Sequence, residues 1–282
     1  MNPNAFEYYK NLLKQKSGLV ITPDKAYLLD SRLTPIAKKH GIADIEVMAD
    51  KMKSSNDATL INAVVEAMTT NETSFFRDAR PFDMFRDVLM PEMLQRRANS
   101  RRIRIWSAAC SSGQEPYTLA MLLKEMGAKL QGWTIEIVAT DISHEILEQA
   151  KKAQYSQFEV QRGLPIQLLM KYFDQAGDKW ALSEEIKKMV QFKYFNLLDP
   201  FTAMGPFDIV FCRNVLIYFD TETKTKIFEK LEKVMAKDSF LLLGGAETVF
   251  GITDLFKSVP DQRGLYMPSQ TPTSAAQASA AP

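Results

Sequence analysis

Cysteine and histidine are scarce in this 282-residue chain. Two cysteines, Cys110 and Cys212, cannot build a disulfide framework and point to a reducing compartment. With His40 and His144 as the only histidines, they leave no basis for a Cys/His metal site. Charge of one sign is missing as well. Thirty-five basic against 34 acidic side chains leave a net +1, which gives the whole molecule no pull on nucleic acid. No apolar run is long enough to span a bilayer, and the N-terminus lacks the form of a signal peptide. These absences lead to the expectation of a soluble, cytoplasmic protein without a metal. Hydrophobic residues, at 46%, are plentiful enough for a packed core, in one large domain or two small ones.

The chain is organised around residues 104–120. An apolar run through Ile103, Ile105 and Trp106 suits a buried strand, and five small residues, 108–112, then lead to Gly113. After Pro116, the spacing of Leu119, Leu122 and Leu123 predicts a helix. Strand, small-residue turn and helix form the opening unit of a nucleotide-binding α/β domain, in which backbone N–H groups face the ligand. The glycine fingerprint is degraded, with Ala108, Cys110 and Gly113 at its three positions. Two acids matter more. Glu115 lies just past the turn, where it would also suit the helix dipole. Asp141 ends the alternating segment 133–141; it could accept from both ribose hydroxyls, or cap the following helix with Ser143.

The first seventy residues read as helices. Phe6, Tyr9, Leu12 and Leu13 share a face, and Thr22-Pro23 looks like a cap and a proline start. Pro35 should kink or end the next helix. Lys25, Arg32 and Lys39 share one stripe on it, either a solvated face or a docking surface for an acidic helix. After a third pattern, Leu60, Ile61, Val64, Val65 and Met68, comes the polar cluster 69–78. Asn71 and Thr73 there could cap the next helix, or the cluster could be a loop of donors with one fixed cation, Arg77, between two domains. Arg80-Pro81 starts a helix that Pro91 restarts; Arg96, Arg97, Arg101 and Arg102 read as solvated near its C-terminus. Residues 155–193 break the α/β rhythm and read as a small insertion, with short strands at 180–182 and 190–194. The clearest buried strand is 207–212, followed by a helix over 221–235, a strand at 240–243 and a closing hairpin of 256–259 with 264–267. From Pro268 on, the composition is that of a disordered tail.

Three motifs occur in order: Asn71-Glu72-Thr73-Ser74-Phe75-Phe76-Arg77, residues 106–117 around Gly113-Gln114-Glu115-Pro116-Tyr117, and Cys212-Arg213-Asn214-Val215-Leu216-Ile217-Tyr218-Phe219. Together they closely resemble the CheR-type chemotaxis receptor methyltransferases, and the likeness runs from about residue 5 to 267. The resemblance implies an N-terminal all-helical domain over 1–72 and a doubly wound, Rossmann-like S-adenosylmethionine-dependent domain over 73–267. It further implies a small antiparallel β insertion at about 155–194, before the tail at 268–282. The activity it implies is methyl transfer from S-adenosylmethionine to glutamates of the receptors' cytoplasmic helical domain, leaving S-adenosylhomocysteine, by a monomer.

On matching positions, Asn71, Thr73 and Arg77 would sit beside the cofactor, with Glu115 and Asp141 at its amino-acid and ribose ends. Asn196 and Leu197 would border the adenine, and Asn214 and Val215 the reacting end. Arg77 and Tyr218 are the implied catalytic pair for the substrate carboxylate. From the residues alone, Tyr218 could equally be a core aromatic, and Arg213 is read as a structural ion pair. The segment 172–180 lacks the Gly-X-Gly loop of members that dock on a receptor's C-terminal pentapeptide, so pentapeptide-independent action is expected. Alternatives are a methyltransferase with another substrate and a non-catalytic adaptor that binds S-adenosylmethionine.

Overall fold

The computed structural model describes residues 1–269. The tail expectation therefore lies outside the described residues, apart from Pro268 and Ser269, which follow on in ordered backbone.

The N-terminal lobe is helical because apolar residues recur at helical spacing and side-chain caps fix the ends. Helix α1 (Pro3–Ser17) starts where Asn2 accepts from the Ala5 N–H and stops at Gly18 in the left-handed region. Thr22 makes no side-chain cap; a single 3-10 turn, Pro23–Lys25, leads into α2 (Ala26–Lys39). Pro35 does not end α2. Its ring nitrogen cannot bond the Ser31 carbonyl, but both residues are exposed, so water can reach the freed acceptor. Helices α3 (Ile45–Ser55) and α4 (Ala58–Met68) are capped by Asp44 and Asp57. Tyr9, Leu13, Leu29, Leu33, Met48, Leu60 and Val64 close one core among the four. The basic stripe on α2 splits. Lys25 and Lys39 are exposed, whereas Arg32 donates to the Met68 and Thr69 carbonyls at 2.9 and 3.0 Å and so ties α2 to the connection beyond α4.

That connection leads to α5 (Arg80–Met84), a π turn (Phe85–Leu89) and α6 (Met90–Arg96). Pro91 has no N–H to give. The wider turn before it lets the Met90 N–H reach the Phe85 carbonyl instead, and the helix continues.

A seven-stranded sheet follows, in the order β6-β2-β1-β7-β8-β10-β9. Its parallel part comprises β1 (Arg102–Ala108), β2 (Thr134–Asp141), β6 (Val190–Tyr194), β7 (Phe207–Cys212) and β8 (Met235–Leu243). The antiparallel edge is β9 (Phe256–Ser258) with β10 (Leu265–Pro268), the expected hairpin. Helices α7 (Gln114–Met126), α8 (His144–Lys152) and α12 (Thr221–Val234) connect the strands. Alternation sends Ile103 and Ile105 of β1 into one core and Trp106 and Ala108 into the other, so the sheet is covered on both faces.

Between α8 and β6 lies a three-stranded antiparallel sheet of β3 (Gln154–Ser156), β5 (Lys179–Leu182) and β4 (Phe173–Ala176), with α9 (Gln157–Gln161), α10 (Ile166–Tyr172) and α11 (Glu184–Lys187) around it. The strand at 190–194, expected inside this insertion, instead pairs with β2 in the main sheet, Ile137 opposite Val190. A short apolar strand looks the same in either sheet; only pairing tells them apart.

Arg96 and Arg97 are not solvated. Arg97 makes a fork to Asp238 at 2.6 and 2.7 Å and reaches Asp208 at 2.6 Å, while Arg96 lies over the Phe240 ring. They pin the end of α6 onto β7 and β8. The fork holds the Asp238 carboxyl below its ordinary value, chiefly through the hydrogen bond from Arg97. A depressed folded-state value contributes stability that is present above the ordinary carboxylate range and lost as pH falls through the folded one. Arg97→Ala should cost about 3 kcal/mol in urea denaturation at neutral pH, because Asp208 stays buried without its cation. The deficit relative to wild type should shrink on acidification; a deficit independent of pH would contradict this account.

Candidate active site

Strand order reverses about β1, which has β2 on one side and β7 on the other. In open α/β sheets, ligands bind outside the carboxyl ends of the strands at such a point. A cleft of about 860 Å³, counting its open mouth, lies there, walled by the turns after β1, β2 and β7 and by residues 69–73 of the connection from the helical lobe.

The turn after β1 is tightly wound. Ala109 and Ser111 take positive φ of 56° and 51°, and Gly113 takes 92°. A side chain at Gly113 would meet the Tyr117 ring at 3.0 Å and the Ala150 Cβ at 3.1 Å, so only hydrogen fits. Non-glycine residues held at positive φ are strained, and such strain gathers at ligand sites. The Ser111 N–H donates to Asp141 at 2.9 Å, and the Ser111 hydroxyl donates to the Asn71 carbonyl at 2.8 Å. Asp141, only 5% exposed, also accepts from the Ser143 N–H at 3.1 Å. Burial pushes its carboxyl above the ordinary value, against these N–H groups, which favour the charged form. Capping of α8 itself falls to the Ser143 hydroxyl, which accepts from Ile146. Asp141 thus braces both turns and still lines the cleft.

Arg213 joins the three motifs. Its side chain is 1% exposed and donates to Glu115 and Asp78 at 2.8 Å each and to the Arg77 carbonyl at 2.9 Å, with its guanidinium over the Phe82 ring. Glu115 takes a second bond from the Ser107 hydroxyl at 2.8 Å. Arg77 donates to the Glu72 carbonyl at 2.8 Å, its only side-chain hydrogen bond among the described residues. Glu72 is held below the usual carboxylate range by its bond from Arg162.

Asn71, Thr73, Arg77, Glu115, Asp141, Asn214, Val215 and Tyr218 all line the cleft. Tyr218 is half-buried in the wall, outside the core. Asn71 and Thr73 do not cap the next helix, which has no side-chain cap. Asn196 and Leu197 are not in the wall: the Asn196 amide donates to the Lys16 carbonyl at 2.7 Å, and Leu197 is buried in the core of one sheet face. Sequence reasoning missed Ser17 and Leu19, which line the cleft because the end of α1 lies against it, and Phe219, which follows Tyr218 in the turn after β7. No spacing in the sequence could have signalled that contact.

The residues fit S-adenosylmethionine. A carboxylate stands at the end of β2, N–H groups at the strained turn and a second acid at the start of α7. The buried Nε of Arg213 has no acceptor among the described residues, which suits a ligand oxygen or carboxylate nearby.

Comparison with known proteins bears on this site. Residues 4–69 match the family described as CheR methyltransferase, all-alpha domain, and residues 71–265 match CheR methyltransferase, SAM binding domain. The chemotaxis protein methyltransferase Cher2 of Pseudomonas putida is 37% identical, over 92% of this chain and 96% of its own. The chemotaxis protein methyltransferase of Vibrio parahaemolyticus is 39% identical, over 94% and 96%. Chemotaxis protein methyltransferase 1 of Pseudomonas aeruginosa is 38% identical, over 92% and 96%.

Removing Arg213 leaves Glu115, whose side chain is 12% exposed, without its cation. Arg213→Met should lower unfolding free energy by about 3–5 kcal/mol. Adding Glu115→Gln should restore part of that loss, since the two residues act as a pair. Strictly additive losses in a double-mutant cycle would refute the coupling.

Proposed function

The chain belongs to the CheR methyltransferase family, and on that premise we propose that it methylates glutamate side chains in the cytoplasmic helical domain of chemotaxis receptors, as part of sensory adaptation. The observation that carries the reading is Arg77: a guanidinium with one hydrogen bond, in the wall of the cleft shared with Asp141 and Tyr218. A cation so placed suits an incoming carboxylate.

Asp141 would hold the ribose side of the cofactor, and Glu115 with Asn71 and Thr73 its amino-acid side. Asn214 and Val215 would border the reacting end. When bound, S-adenosylmethionine supplies an electrophilic methyl group on a sulfonium. The acceptor needs no general base, because a glutamate with a reference pKa of about 4.3 is already ionised near neutrality. The protein's task is placement and exclusion of water. Arg77 orients the carboxylate through charge-assisted hydrogen bonds, and the Tyr218 hydroxyl adds a donor. Too firm a grip would stabilise the ground state and slow the reaction, so both groups position the nucleophile without neutralising it.

We propose further that docking does not require a receptor's C-terminal pentapeptide. Strands β4 and β5 are joined by Gly177 and Asp178 alone, with Ala176 paired to Lys179, which leaves a minimal hairpin in place of a docking loop.

Incubation with labelled cofactor and a receptor cytoplasmic fragment should yield base-labile methyl esters, with and without the receptor tail. Esters formed only with the tail, or tight specific capture of the protein by the tail peptide, would refute pentapeptide independence. Loss of one charge-assisted hydrogen bond predicts that Arg77→Ala lowers kcat/KM by about 10- to 100-fold. For Tyr218→Phe, a drop of about tenfold is expected. An unchanged rate would remove Tyr218 from the mechanism.

A further inference from the structure

Glu247 lies outside the cleft wall, yet much of that wall hangs from it. The residue is 9% exposed, and its carboxylate collects backbone N–H groups from two turns. Oε2 accepts from Asn214 at 2.8 Å and Gly244 at 2.7 Å. Oε1 accepts from Val215 at 2.9 Å and Leu216 at 2.7 Å, with Ile217 at 3.3 Å. Four consecutive N–H groups thus converge on one side chain, as they would on a bound anion. The anion here is supplied by the protein itself, from the turn after β8, across to the turn after the neighbouring strand β7.

That second turn needs holding. Asn214 sits at φ 58°, in the left-handed region that residues other than glycine rarely adopt and asparagine tolerates best. From it, Asn214, Val215 and Tyr218 line the cleft, and Arg213 precedes it. Nothing neutral replaces the carboxylate well. A glutamine would turn one acceptor oxygen into an N–H₂ group facing N–H donors. The geometry also explains Gly244. A Cβ there would lie 2.7 Å from Glu247 Oε2 and 2.9 Å from the Asn214 nitrogen, so a side chain would push the carboxylate off the turn.

We infer that Glu247 is a positioning residue for methyl transfer: by gathering the N–H groups of residues 214–217 it holds Asn214, Val215 and Tyr218 in the orientation that cofactor and acceptor require. The inference rests on the reading of the cleft as the methyl-transfer site. It differs from a role in stability alone, which would lower the melting temperature and leave the folded protein's chemistry intact.

Two variants test it by different routes. Glu247→Gln removes the anion, and Gly244→Ala keeps the anion but displaces it. Binding of S-adenosylhomocysteine would be measured by calorimetry at a temperature where circular dichroism shows each variant folded. Under the same conditions, kcat would be measured with the receptor fragment at saturating cofactor. The expected result in both variants is cofactor binding at least tenfold weaker and kcat at least tenfold lower. A folded Glu247→Gln or Gly244→Ala protein with wild-type affinity and wild-type kcat overturns the inference, whatever its melting temperature. Should the wild-type protein bind S-adenosylhomocysteine but esterify no receptor glutamate, the acceptor reading fails. The affinities of the two variants then still decide the role of Glu247.

Discussion

A single buried guanidinium holds this site together. Arg213 leaves the end of a central strand and finds Glu115 at the start of the helix after β1, and Asp78 and the Arg77 carbonyl in the connection from the helical lobe. Those partners lie roughly a hundred residues or more away along the chain. A charge so fully removed from water is tolerable only if nearby acids and carbonyls replace the lost hydration. The three loops are therefore obliged to stay close together. The cleft is the space that this obligation encloses.

The helical lobe is part of the same construction. The Val20 N–H donates to the Tyr218 carbonyl at 3.0 Å, and Lys14 pairs with Asp220 at 2.7 Å. Asp220 in turn caps α12 through the Thr223 N–H. On the other flank, Glu66 of α4 accepts from the Ser143 hydroxyl at 2.9 Å, beside Asp141. Both lobes thus share hydrogen bonds with the turns that carry the candidate residues.

Much of the site was legible because its chemistry is local. Asp141 ends an alternating strand, Glu115 follows a small-residue turn, and Arg77 is the lone cation of a polar cluster; each can be read in a window of ten residues. The errors share the opposite cause. Arg97 looks like any surface arginine until Asp208 and Asp238 are brought beside it from more than a hundred residues away. Nothing near Asn196 in sequence hints that its amide donates to the end of α1, at the Lys16 carbonyl.

The sequence by itself determined the alternation of strands and helices, the positions where the backbone turns, and which side chains bear chemistry. Each of these depends on a residue and its immediate neighbours. Pairing was decided by the tertiary structure alone: whether β6 joined the main sheet or the insertion, which acids met Arg213, and that Glu247 would face a row of N–H groups. A hydrogen bond or ion pair forms between groups that the fold brings within about 3 Å, and distance along the chain carries almost no information about that.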